Sequence, residues 1–319
     1  MQPRSRVFAG SALAVLAATT FAVNGPFSVV AYDLGLTPFG LVVWRSTMAT
    51  ATLVIFVGIL VARGRPFALA GLDRRSAVLL LLAGLAAAAL NLTVFAAFER
   101  ITVAVALITF YTYPAMLAVT GVLFHGERLT RTRTAALALS IAGMAFVVLG
   151  QIQPSDGLRV DGLGILLALV AALCQVAYFT IGRVGFRHVP PDQAQLGVFG
   201  SSVLFTIAVG IMAGGMTELA TPLGEPRLLG VVALLGIVGA AIPGILVLSA
   251  IRSIGPTRTG ILLLFEPVIA VALAAALLGQ RIVPLQLVGG ALVLAGGVLV
   301  QLSGGGGPML TADEPAATI

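Results

Sequence analysis

Ten long apolar runs follow one another along the chain, separated by short pieces that hold nearly all of its charge. A helix that crosses a bilayer needs about 20 mostly apolar residues. Runs of that kind cover 9–31, 38–62, 76–98, 103–124, 133–151, 162–184, 194–215, 228–250, 257–279 and 285–302. The run 194–215 carries Ser201, Ser202 and several glycines, yet its length and apolar balance still predict a span. Beyond the last run, Ser303 leads into Gly304–Gly307 and a polar stretch to Ile319, which predicts a flexible cytoplasmic tail over 303–319. The pattern predicts an all-α integral membrane protein with ten transmembrane helices.

Composition sharpens this reading. The 319 residues are 59% hydrophobic and 9% charged, against roughly a quarter charged in soluble domains. The net charge of +6 does not point to nucleic acid, because all 18 basic residues are arginines and most sit in short loops. With the amino terminus cytoplasmic, Arg4, Arg6, Arg63, Arg65, Arg74, Arg75, Arg128, Arg131, Arg133, Arg183, Arg187, Arg252 and Arg258 fall inside. Arg100, Arg159, Arg227 and Arg281 fall outside, and Arg45 lies within a span. That bias predicts both termini inside and a multi-pass protein of the cell inner membrane. The single cysteine, Cys174, cannot form an intrachain disulfide, and its apolar setting reads as packing.

Sliding the chain on itself by 153 residues places Ile101 on Ile254, Pro114 on Pro267, Gly126 on Gly279, Arg128 on Arg281 and Gly143 on Gly296. The division expected from this offset is a first five-helix repeat over 1–151, a second over 152–302, and the tail. Five crossings per repeat start the second copy on the opposite side of the membrane, so the repeats are expected to be inverted. Many secondary transporters build a midplane site between such halves.

Two ionisable residues fall well within the spans, Arg45 and Glu266. Leaving a charge against lipid costs about 2.5–3.5 kcal/mol or more, so each is expected to face a cavity, the bundle interior or the other. Arg45 could instead snorkel to the interface. Glu266 precedes Pro267, and the repeat-equivalent helix carries Tyr111, Tyr113 and Pro114. Proline removes an N–H and frees a carbonyl, so Pro26, Pro114 and Pro267 are candidate helix bends. Asn24, Asn91, Gln175 and Tyr178 complete the substrate or coupling candidates, with helix–helix glue as the plainer reading of each.

In these pieces the chain resembles the drug/metabolite transporter superfamily, specifically its EamA-type ten-helix members. The resemblance rests on Arg45, on Tyr113-Pro114 followed by Gly126-Glu127-Arg128-Leu129, and on Glu266-Pro267 followed by Gly279-Gln280-Arg281. The stretch Pro256 to Pro267 also resembles bacterial threonine/homoserine exporters of this group. Gln280 departs from the glutamate expected in the second turn; Glu127 keeps it. The resemblance implies gradient-driven export of amino acids or other small metabolites, with protons as a coupling ion. Its expected partners are the lipid bilayer and a small-molecule solute, with a homodimer as a candidate assembly. An importer or exchanger is the nearest alternative; a membrane-embedded enzyme or a non-transporting scaffold is the alternative from another class. His125 and His188 lie outside the central spans and no nucleophile–base or Walker-type motif occurs, so no catalytic residue, cofactor or metal ligand is expected.

Overall fold

The computed structural model describes residues 3–126, 130–150, 152, 159–213, 221–279 and 281–302. Glu127, Arg128, Gln280 and the 303–319 tail therefore lie outside the described residues. Fifteen α-helices follow in order: α1 (Pro3–Phe21), α2 (Asn24–Asp33), α3 (Pro38–Ala62), α4 (Arg74–Arg100), α5 (Val103–Phe110), α6 (Tyr113–His125), α7 (Arg131–Leu149) and α8 (Gly162–Val184), then α9 (Pro191–Ala213), α10 (Thr221–Gly224), α11 (Pro226–Gly236), α12 (Ile242–Ile254), α13 (Pro256–Leu263), α14 (Phe265–Leu278) and α15 (Pro284–Leu302). A wide π turn, Ile237–Ala241, joins α11 to α12.

Taken across their interruptions, these helices form nine apolar stretches long enough to span a bilayer, plus the shorter Pro284–Val300, among the described residues. The expected ten-helix, all-α membrane architecture is met. Helices satisfy their own backbone groups, which is what hydrocarbon requires. Several ends are fixed by local chemistry. Side chains of Thr37, Asp73, Thr130 and Asp161 accept the N–H groups of Gly40, Ser76, Arg133 and Gly164 at the starts of α3, α4, α7 and α8. Gly126 and Gly279 end α6 and α14 in the left-handed region, at φ +61° and +66°, where a side chain is strained.

The 153-residue offset carries helix boundaries with it. Val103, Arg131 and Leu149 bound α5 and α7; their counterparts Pro256, Pro284 and Leu302 bound α13 and α15. Packing obeys the same exchange: α1 packs on α12 and α13, and α8 packs on α4 and α5. The halves thus interlock, each sending its first span against the third and fourth spans of the other.

The crossing of α7 and α15 reveals their relative direction. A Cβ on Gly143 would lie 2.5 Å from the Gly289 carbonyl oxygen, and one on Gly296 would lie 2.8 Å from that of Ala136. Numbering rises along α7 as it falls along α15, so the two run antiparallel. Because they are repeat counterparts, the halves are inverted, as the odd helix count predicts. Small residues permit the close approach.

A central core draws on both halves, including Leu117, Met144, Val148, Phe179, Val247, Ile251 and Leu264. Phe8, Ile55, Leu123, Phe124, Leu204 and Leu287 project outward, as befits a surface solvated by lipid.

Candidate functional site

Besides the eighth span with its π turn, three spans are interrupted beside the candidate bend prolines. The first breaks between α1 and α2, the fourth at Tyr111-Thr112 and the ninth at Leu264. Pro26, Pro114 and Pro267 each sit in the first turn after the break, where a missing N–H costs no helix bond. The breaks place Asn24, Tyr113 and Glu266 at the starts of half-helices. Amide groups exposed there favour a negative charge at Glu266 or on an arriving solute.

Arg45 turns inward rather than snorkelling. Its Nη2 donates to Asn91 Oδ1 at 2.5 Å and its Nη1 to Asn24 Oδ1 at 3.4 Å. Both amides are anchored in turn. Asn91 Nδ2 donates to the Ala87 carbonyl at 2.7 Å. Asn24 Nδ2 donates to the Phe21 carbonyl, where α1 ends, and to the Gly239 carbonyl in the π turn, each at 2.9 Å. Irregular backbone in two spans thus supplies the acceptors that hold Asn24 in place. Arg45, Asn24 and Asn91 are each half-buried.

Glu266 is also half-buried and interacts electrostatically with Arg45, Tyr111 and Tyr113. No described donor lies within hydrogen-bond distance of its carboxylate, and it makes no ion pair with Arg45 within 4.0 Å. Opposite charges therefore face each other without closing a direct bond. Beside them runs a chain of rings. Phe110 lies 5.4 Å from Tyr113, Tyr113 lies 5.8 Å from Phe179, and Phe179 lies 5.9 Å from Tyr178 between centroids.

Six of the eight side-chain candidates, Asn24, Arg45, Asn91, Glu266, Tyr111 and Tyr113, are linked in this way. Tyr178 stands at the far end of the ring chain, its hydroxyl donating to Gln195 Oε1 at 3.0 Å. Gln175 does not join: it makes no hydrogen bond with a described residue. Tyr32 and Gln195 were not expected. Tyr32 faces Arg45 electrostatically. Gln195 belongs to Pro190-Pro191-Asp192-Gln193-Ala194-Gln195, a polar run leading into the seventh span. The expected start at 194 left most of that run in a loop. In the structure α9 begins at Pro191 and buries Asp192, Gln193 and Gln195. A cluster of carboxamides at the mouth of an apolar run was the available signal.

A separate cavity of about 300 Å³ lies between α7, α14 and α15, lined by residues such as Val147, Val268, Val271 and Leu294. It contains none of these polar groups.

Comparison with known proteins agrees with this architecture. The EamA-like transporter family matches twice, over residues 8–149 and 162–302. No curated protein matches the chain. Among solved structures, one described only as "Crystal structure of protein" is similar at a TM-score of 0.68 and 20% identity, covering 93% of this chain and 98% of its own. At that identity the likeness speaks for the fold alone. Two family matches spanning nearly the whole chain settle the matter: it belongs to the EamA-like transporter family, whose members carry small solutes across membranes.

Proposed function

We propose that the chain exports a small metabolite of the amino-acid class across the inner membrane, driven by the proton gradient, with both termini cytoplasmic. The observation that carries this reading is Glu266. It is a carboxylate at a helix break inside the ninth span, opposite an anchored Arg45 and without a direct hydrogen-bond or ion-pair partner among the described residues. An acid poised this way can bind a proton or an ammonium group, while Arg45 offers the complementary charge to a carboxylate. Amino acids carry both groups, and the resemblance of 256–267 to threonine/homoserine exporters favours the same class. The arginine bias supports the orientation.

Coupling requires that protonation change solute affinity or the balance between the two open forms of the carrier. E266Q keeps size and hydrogen bonding but cannot titrate. In reconstituted vesicles with labelled amino acids and an imposed proton gradient, E266Q should insert and fold yet lose proton-driven efflux. It should keep solute exchange, and E266D should be partly active. Efflux in E266Q with the rate and pH dependence of the wild type would sink the coupling role.

A further inference from the structure

Where α3 ends and α4 and α9 begin, the two halves are tied together by polar bonds. Arg65 donates from Nη1 and Nη2 to the two Asp192 oxygens at 2.9 and 3.2 Å, and the Asp192 side chain is only 8% exposed. Gln193, fully buried, accepts the Ala68 N–H at 2.7 Å and donates to the Pro66 carbonyl at 2.8 Å. The Ser76 hydroxyl donates to the Gly185 carbonyl at 3.3 Å. Each bond joins segment 63–76 of the first half to segment 185–193 of the second. The opposite end of the bundle has an apolar cluster, with Leu36, Leu41, Leu228 and Leu235, and looser polar ties. There Arg100 Nη1 reaches Asp161 Oδ2 at 3.5 Å with both side chains well exposed, and the Arg159 N–H donates to Thr102 Oγ1 at 2.9 Å.

Directly behind these ties, on the same helix, lies Gln195. It is 2% exposed and accepts from the Tyr178 hydroxyl, but its amide nitrogen finds no acceptor among the described residues. That nitrogen is not among the fully enclosed polar atoms, so it keeps open surface where a small hydrogen-bond acceptor can reach it. The repeat offset gives the position its meaning. Tyr178 is the counterpart of Gly25, beside Asn24. Gln195 is the counterpart of Val42, one turn before Arg45, and Gly244, packed against the Gln195 amide, is the counterpart of Asn91. The pair occupies in the second half the region that the Arg45 network occupies in the first. Its own two side chains are uncharged, with Arg252, which donates to the Val189 and Phe186 carbonyls, acting electrostatically on Tyr178.

We propose that Tyr178 and Gln195 form a second, uncharged subsite for the transported solute, taking a hydrogen-bond acceptor such as a carboxylate or carbonyl, and that the Arg65–Asp192 latch closes one end of the carrier over it. This rests on the carrier reading above. Inversion of the halves gives the two polar stations corresponding depths from opposite ends of the bundle. A solute leaving one meets the other before the latch.

The single native cysteine makes the test clean. In a C174A background, Q195C should react slowly with a membrane-impermeant methanethiosulfonate reagent applied from the latch side of oriented vesicles. Adding D192N should raise that rate about tenfold or more, and the exchange R65D/D192R should bring it back down. A rate that is the same with the latch intact and broken overturns the gate. This arm needs no solute, so its failure is separate from any failure of the carrier reading. For the subsite, Q195L should raise the half-saturating concentration about tenfold, with the maximal rate kept, for those labelled amino acids that the wild type moves. An unchanged half-saturation would leave the pair as a structural bond and overturn the subsite.

Discussion

Gly126 and Gly143 have Gly279 and Gly296 as their counterparts in the second half, whereas Asn24, Arg45 and Asn91 have Ala177, Val198 and Gly244. At these turns and crossings the backbone is repeated, although the first and eighth spans are interrupted where their counterparts α8 and α4 run on; charge is not repeated. The physical reason lies in what each position must satisfy. A left-handed helix end or a close helix crossing is demanded by the chain path, and inversion imposes that path on both halves. A buried charge has no such necessity and is costly, so a charge held at one position of a counterpart pair and missing from the other points to work done there. The two breaks show the same split. Pro114 and Pro267 coincide, but Tyr113 stands where the second half has Glu266. An asymmetric solute needs asymmetric groups, and a symmetric frame supplies two places to put them.

The sharpest way to break this comparison is at its symmetric part. G143V and G296V change counterpart positions at one crossing, where each added side chain meets backbone of the opposing helix. Overpacking typically costs about 1–3 kcal/mol and sometimes more. Both variants should lose most of their monodisperse protein in detergent, to a similar extent, by size-exclusion chromatography and thermal melting. If one is tolerated and the other is not, the crossing is not equivalent in the two halves.

The asymmetric part predicts the reverse. Hydrogen bonds to charged groups contribute about 1.5–3 kcal/mol each, so R45A should lower solute transport by about 10–100-fold. Its counterpart V198A, changing a buried valine in an otherwise similar place, should stay within about threefold once expression is matched. Equal, small losses in vesicle transport would mean that Arg45 only holds spans together.

Much of the frame was legible because bilayer thickness and helix rise convert hydropathy directly into spans. The runs 38–62 and 162–184 coincide with α3 and α8. The interruptions were legible through proline, since Pro26, Pro114 and Pro267 each sit one turn beyond a break. Convergence was not. Asn24, Arg45 and Asn91 lie on three helices, and nothing local in the sequence says that they share hydrogen bonds. The π turn that offers the Gly239 carbonyl has no polar residue within it, but Pro243, four residues on, lacks the N–H that would take that carbonyl, so here too a proline was the available signal. Asp192 and Gln193 were lost for the opposite reason: their polarity reads as loop, and only the partners Arg65, Pro66 and Ala68 make their burial tolerable.

Helix starts offer the mildest test of the comparison. Asp73 caps α4, accepting the Ser76 N–H at 3.2 Å. At the start of α11 its counterpart Pro226 has no side-chain oxygen, and the cap there is the neighbouring Glu225, which accepts the Arg227 N–H at 3.2 Å. Hydrogen bonds from Ser76, chiefly, hold the Asp73 carboxyl below its ordinary value, with His188 4.0 Å away adding a smaller pull in the same direction. A carboxyl held low in the folded state adds stability above its ordinary value and loses that contribution as pH falls through the lowered one. D73A should therefore melt below the wild type near neutral pH, and the gap should close in acid. Asp73 is fully exposed, so solvent screening keeps the effect small. P226A removes no titrating group, and its offset from the wild type should be the same at every pH. Melting curves in detergent from pH 3 to pH 7 would separate the two. A D73A gap that stays constant into acid would show that the cap acts through backbone shape rather than through its charge, making the two halves alike at this position after all.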